Sequence, residues 1–380
     1  MGKAVLYGLL LAAGCGRYGF EGGPDDPAPD AATSALRCGN APKFSVGTLV
    51  RDVAAIATSQ GFALFTVDEA KELRGWSYGL DAGALTAEAQ NVALDIDVTG
   101  AFGASAAGDD IVIGAIHGAM TTLGTTYHAL DAGLAERSTP VISNGRVISV
   151  EPLARCATQP GLASIRHETG DVAVHGIATN GSDLGTRMLG VAAENPNELS
   201  IITAGTGYAV AWIDTIATPN TTKLALLDEN YAFVKGPVTV MNTAGFDTIR
   251  PRIRWAPGSN TYAVAWFEKT PTGDDDVYAQ VFDAQLQPMF APKLVETSAV
   301  RPKLATDGTS FYIGYLQVAA NPDRMQTAHL TTDGTLTIRS AASSGGTPLA
   351  FSMVERAGQA VLVYVESKTS VDVWFEALCP

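Results

Sequence analysis

The chain is short of positive charge. Its 380 residues carry 25 Lys and Arg against 39 Asp and Glu, a formal net charge of −14. No basic cluster offers a local exception, and a surface of that sign repels phosphate backbones, so no nucleic-acid partner is expected. Charge of either sign is sparse, at 17% of residues, while 46% are hydrophobic. That balance excludes disorder over most of the length. Long apolar runs are missing as well. The N-terminal run from Ala4 to Ala13 is too short to span a bilayer as a helix, although it suits a secretory signal.

Motifs that carry chemistry are equally scarce. There is no Walker-type loop, dinucleotide-binding glycine run, HExxH or CxxC. The five histidines, His117, His128, His167, His175 and His329, are scattered with no ligand partner at metal-binding spacing. His167-Glu168 is the nearest approach to an acid–base pair, and it falls in an expected loop. The run Gly273-Asp274-Asp275-Asp276 clusters oxygens as Ca²⁺ sites do, but neighbouring Asp side chains on a hairpin tip are expected to face solvent. We therefore assign no catalytic residue, no metal and no cofactor, and expect a protein that is not an enzyme.

What the chain does have is a repeat. TYAVAWFE begins at Thr261 and GYAVAWID at Gly207, with fainter copies elsewhere. Aligning the residue before each such phrase gives anchors at Gly61, Asp110, Asp171, Gly207, Thr261, Ser310 and Gln359. Their steps are 49, 61, 36, 54, 49 and 49 residues. The displaced third anchor is explained at this stage by an insertion around Asn144–Pro160. Large residues (Tyr208, Val210, Trp212) alternate with small apolar ones (Ala209, Ala211), the pattern of a strand buried on both faces. The fifth place after the anchor is aromatic in the last four copies, at Trp212, Trp266, Tyr315 and Tyr364. Packing between sheets is the expected role.

A second phrase keeps the same period: LDAGALT at Leu80, LDAGLAE at Leu130, LDENYAF at Leu227, FDAQLQP at Phe282 and TTDGTLT at Thr331. Asp and Gly between β-formers predict a tight hairpin. The resulting expectation is an all-β chain, a β-propeller of about seven four-stranded blades, with six or eight left open. The last unit stops after a third strand, SVDVWFEALC, and Ala41-Pro42-Lys43-Phe44 matches Ala291-Pro292-Lys293-Leu294 of a fourth. An N-terminal strand completing the C-terminal blade is expected, because an open ring leaves an exposed edge. Arg250, Arg252 and Arg254 alternate before the fifth anchor and are expected to share one face, where they could reach an anion.

The N-terminus, MGKAVLYGLLLAAGC, ends in Ala13-Gly14-Cys15 and resembles the lipobox of bacterial lipoproteins, with Ala12 in place of the usual Leu. The resemblance implies lipidation of Cys15 after cleavage. It divides the chain into a signal at 1–15, a Gly/Pro/Asp-rich disordered tether at 16–38 and a propeller domain at 39–380. Gly16 following the Cys favours the outer membrane. With Cys15 lipidated, Cys38, Cys156 and Cys379 remain. Cys38 precedes the closing strand and Cys379 ends the strand it would join, so Cys38–Cys379 is the favoured disulfide. The alternative, Cys38–Cys156, leaves Cys379 free. Such a long loop gains about 4–5 kcal/mol in the chain-entropy model.

The cadence YAVAW…DDDVYAQVFDAQLQP resembles the repeats of predicted bacterial β-propeller lipoproteins over roughly residues 40–380, and GCGRYGFE resembles Gram-negative lipoprotein starts. TDGTS at Thr306 and TTDGT at Thr331 share only Asp-Gly with the Asp-box of sialic-acid-cleaving propellers. The expected function is a non-enzymatic, lipid-anchored envelope module that binds a glycan or protein, as a monomer joined to the membrane through its lipid. Alternatives are a scaffold subunit of an envelope complex and a glycan-processing enzyme with dispersed residues.

Overall fold

The computed structural model describes residues 36 and 42–379, apart from breaks at 48, 82–83, 98–101, 108–109, 118–123, 132, 138–140, 145–146, 156–158, 167–170, 178–182, 243–245, 270–274, 319–322, 342 and 344. Cys15, Cys38, Cys156, His167, Glu168, Gly273 and Asp274 lie outside the described residues. The fold is an all-β propeller. Its described strands form seven four-stranded sheets, each an antiparallel meander.

The first sheet holds β2 (Val50–Ala57), β3 (Gly61–Asp68), β4 (Glu72–Asp81) and β5 (Ala84–Asp97), after a short N-terminal β1 (Lys43–Ser45). The second holds β6 (Phe102–Ala107), β7 (Asp110–His117), β8 (Gly124–Leu130) and β9 (Val141–Asn144). In the third are β10 (Val147–Arg155), β11 (Gln159–Arg166), β12 (Asp171–Ile177) and β13 (Asp183–Met188). The fourth comprises β14 (Asn197–Ala204), β15 (Gly207–Asp214), β16 (Thr221–Leu227) and β17 (Phe233–Thr239). Next come β18 (Asp247–Ala256), β19 (Thr261–Lys269), β20 (Asp275–Phe282) and β21 (Lys293–Glu296) in the fifth. The sixth has β22 (Ala299–Thr306), β23 (Phe311–Gln317), β24 (Arg324–Leu330) and β25 (Leu336–Ser340). The last has β26 (Thr347–Arg356), β27 (Gln359–Ser367) and β28 (Val371–Leu378), and its fourth strand is β1.

First strands gather at the centre: β2 lies against β6, then β10, β14, β18, β22 and β26 follow in turn, and β26 returns to β2. The second strands explain why the sheets stack. Tyr208, Val210 and Trp212 join one core cluster while Ala209 and Ala211, on the opposite face of β15, join the next. On β19 the split repeats, with Tyr262, Val264 and Trp266 on one side and Ala263 and Ala265 on the other. Large side chains of one sheet therefore meet small ones of its neighbour. Each large side chain fully buried this way stabilises the fold by about 1.5–3 kcal/mol. The recurring aromatics serve this packing: Trp212, Trp266, Tyr315 and Tyr364 are all essentially inaccessible. Trp266 stacks on Tyr278 and Tyr364 on Trp374 across their strand pairs.

The expected insertion in the third repeat is corrected. Val147–Arg155 and Gln159–Arg166 are regular strands, and Asp171 opens the third strand of its sheet rather than the second. Counted between second strands, Asp110 to Gln159 is 49 residues and Gln159 to Gly207 is 48. The period was never broken. QPGLASIR opens with Pro and Gly and lacks the large–small apolar alternation, so the pattern search slid one strand downstream to VAVHG.

Candidate functional site

The centre of the ring is a channel of about 510 Å³, open at its ends and lined by first strands. That volume lies within the range of small-ligand sites. A first strand is the inner edge of its sheet, so half of its backbone groups have no partner within the sheet, and a buried edge must find partners elsewhere. Here the next sheet supplies them. Ser200 Oγ on β14 accepts from the Ile253 amide of β18 at 3.2 Å, and Ser352 Oγ on β26 accepts from the Ala55 amide of β2 at 3.3 Å. Glu355 Oε1 accepts from the Thr306 amide at 3.0 Å. Arg252 Nη1 donates across the same kind of junction to the Leu199 carbonyl at 3.4 Å, and within its own strand to Pro251 O at 3.2 Å.

The wall is chemically uneven. Along β2 and β6 small residues such as Ala54, Ala55, Gly103 and Ala106 predominate, beside Asp52, Ile56 and Phe102. Along β18, β22 and β26 it carries Arg252, Arg254, Trp255, Lys303 and Glu355. Arg254 Nε lies 3.2 Å from Glu355 Oε1. Burial pushes the Glu355 carboxyl above its ordinary range, and Arg254 with the Thr306 amide opposes that shift. The expected alignment of three arginines is thus corrected. A bulge between Ile249 and Arg252 places Arg250 at φ +51°, and its guanidinium pairs instead with Glu198 at 3.5 Å. Arg252 and Arg254 remain on the channel.

One mouth is braced from sheet to sheet. The hairpins after β18 and β22 are joined by Gly258 N–H donating to Gly308 O at 2.7 Å. Arg356, at the end of β26, donates to the carbonyls of Thr58, Ser59 and Gly61 and lies 5.7 Å over the Phe62 ring. Next to this mouth sits a polar cluster that the sequence did not single out. Asp307 accepts from the amides of Thr309 and Ser310 at 2.8 Å each, and from Ser310 Oγ at 2.7 Å. Ser310 Oγ is also 2.7 Å from His329 Nε2, whose ring stacks on Tyr312 at 4.7 Å.

This resembles a nucleophile beside a base, but the protons run the other way. Burial raises the Asp307 carboxyl, yet the hydrogen bonds of Ser310 and Thr309 outweigh it and hold the group below its ordinary pKa. Ionised Asp307 can only accept, so Ser310 donates its single proton to Asp307, and His329 Nε2 must in turn donate to Ser310. In this arrangement the hydroxyl proton lies toward the carboxylate and the imidazole donates to the hydroxyl oxygen. Burial also lowers the His329 pKa, and that of His128, whose Nδ1 is 2.7 Å from Glu136.

The other sequence candidates are not brought together. Asp276 Oδ1 accepts from the Ser298 amide at 3.2 Å, and Asp275 sits in the β19–β20 ladder opposite Lys269. His117 ends β7 and His175 lies within β12. Among the described residues no cluster of His, Cys, Asp or Glu is placed to hold a metal, and no helix is long and apolar enough to cross a membrane.

No protein-family model and no curated protein matches the chain. Among solved structures, the crystal structure of BBS1N in complex with ARL6DN, soaked with lead, is similar at a TM-score of 0.50. The match covers 88% of this chain and 94% of that one at 9% identity, a likeness of fold alone.

Proposed function

We propose that this protein is a lipid-anchored envelope propeller that binds a glycan or protein ligand at its channel mouth and does no chemistry on it. The observation that supports this reading is the braced mouth, where Gly258 and Arg356 bond from sheet to sheet and Ser310 Oγ, beside His329, donates to Asp307. The propeller neighbour among solved structures holds a protein partner, which is compatible with a binding role. In this proposal Cys15 carries the lipid, residues 16–38 form the tether, and the seven sheets act as blades closed by β1 through its pairing with β28. The Cys38–Cys379 disulfide belongs to the same proposal. Gln359 Nε2 supports it, donating to Leu36 O at 3.0 Å while lying 3.8 Å from Cys379 Sγ.

A scaffold role is the second reading, favoured by exposed apolar side chains on the outer strands of three consecutive sheets, Phe233 and Val234, Leu294, and Ile338. A thermal-shift screen against envelope glycans, peptidoglycan fragments and Ca²⁺ separates the two. A ligand specific for the native state raises the melting temperature with the logarithm of its concentration. No shift with any probe, together with capture of a protein partner that Val234→Asp abolishes, selects the scaffold.

A further inference from the structure

We infer that the channel selects a ligand bearing a carboxylate and an apolar face, such as an acidic sugar; this deepens the glycan arm of the proposed function and rests on it. The first ground is charge placed against the trend of the chain. A protein of net charge −14 brings Arg252, Arg254 and Lys303 to one wall of its central channel, on the adjoining strands β18 and β22. The described carboxylates on the lining are Asp52 and Glu355. Glu355 is engaged by Arg254 and the Thr306 amide, and Asp52 Oδ1 accepts from the Val53 amide at 2.9 Å.

The second ground is preorganisation. Arg252 is held by two backbone carbonyls and Arg254 by a carboxylate, so neither guanidinium has to be ordered when a ligand arrives. The third is the opposite wall, where Ala54, Ala55 and Ala106 offer an apolar shelf, with Asp52 further along β2 as its one charge among the described residues. A ligand charged at one end and apolar on one face has a single orientation that satisfies both walls. An uncharged sugar forgoes the cations, whose charge-assisted hydrogen bonds to a carboxylate are stronger than those between neutral groups.

The experiment is calorimetric titration of the full chain in detergent micelles with three probes: sodium glucuronate, glucose and sodium propionate. Glucuronate is expected to bind at least about tenfold more tightly than glucose, and Lys303→Gln and Arg252→Gln each to weaken it by about tenfold, equivalent to about 1.4 kcal/mol. Added salt should weaken binding of glucuronate. Thermal melts establish that both variants fold, and Lys303→Gln stands in should Arg252→Gln lose the bond to Leu199. Propionate binding as tightly as glucuronate assigns the site to free organic acids, and weaker propionate binding assigns it to a sugar acid. Equal binding of glucose and glucuronate, or folded variants that bind glucuronate normally, overturns the carboxylate inference while leaving glycan binding intact. No binding of any probe overturns it too, and the broader glycan screen then judges the proposed function separately.

Discussion

A single carboxylate, Asp131, Asp228 or Asp283, organises three of the turns between third and fourth strands. Asp228 Oδ1 accepts from the amides of Asn230 and Ala232 at 2.8 and 2.9 Å, and Asp283 Oδ1 does the same for Gln285 and Gln287 at 2.8 Å each. The residue three places on adopts a left-handed backbone: Leu134, Tyr231 and Leu286 at φ +65°, +63° and +59°. Gly is the usual choice there, yet these side chains are buried wedges, with Leu286 1% exposed. Their packing offsets the backbone strain. The sequence made the turn and its Asp legible, but the tip read only as a tight hairpin marked by Asp and Gly. The wedge was hidden because nothing local says that a Leu will be held at positive φ. Asp283→Ala should cost about 1 kcal/mol in urea unfolding, the worth of such a cap; no loss would remove the capping role.

Protons act at the same scale. His128 and His329 have folded pKa values below the ordinary 6.5. The unfolded chain then binds more protons, so their contribution to stability is complete above about pH 6.5 and is lost as pH falls through the folded values. Asp307, held below its ordinary value of 3.8, adds a further loss in more acid solution. NMR titration of the ring protons should place both histidines below 6.5, and values above it would contradict the buried geometry of His128.

At the scale of elements, the first strands show what period alone could not. Register shifts interrupt β2, β10, β14, β18, β22 and β26 near their starts. In β14, β18 and β22 the bulged residues Glu198, Arg250 and Arg301 lie at positive φ. A two-residue alternation carried through a bulge sends side chains to the wrong face, which is why Arg250 left the expected triad. The Arg-Pro pairs at Arg250-Pro251 and Arg301-Pro302 were the available signal. Inner edges make a second prediction. Ser352→Ala removes the partner of the Ala55 amide and should cost about 1–2 kcal/mol, whereas Ser352→Thr, which keeps the hydroxyl, should cost less.

Six of the seven second strands were legible, since burial on both faces leaves a large–small apolar signature, which β11 lacks. Acids at their ends were missed: Asp68 and Asp214 in the last place, and Glu268 and Glu366 one place before it, are all buried. Asp68 accepts from the Glu72 amide at 3.0 Å and Asp214 from that of Ile216 at 3.0 Å, so these acids fasten the loop that follows.

For the whole molecule, the junction of first and last sheets decides the fate of the ring. Phe44 of β1 packs against Tyr78 at 4.9 Å and Phe375 at 6.2 Å, and Lys43 pairs with Asp372 at 3.2 Å. Phe44→Ala should destabilise by roughly 2–3 kcal/mol, below the range of about 3–5 kcal/mol for fully buried aromatics because the ring is only partly buried. Non-reducing peptide mapping is expected to link Cys38 with Cys379; a Cys38–Cys156 peptide would contradict that pairing. The ends of the chain were legible through the matching Ala-Pro-Lys motifs, whereas the channel's uneven wall was not, because its residues come from strands distant in sequence.

The most direct test of the central claim is ligand-dependent melting of the full chain beside Ala106→Trp, which fills the channel from the β6 wall. If binding in the channel is the function, at least one envelope glycan or peptidoglycan fragment raises the melting temperature of the parent with the logarithm of its concentration, and the folded variant shows no rise. An equal rise in both proteins would place the ligand elsewhere and contradict the account.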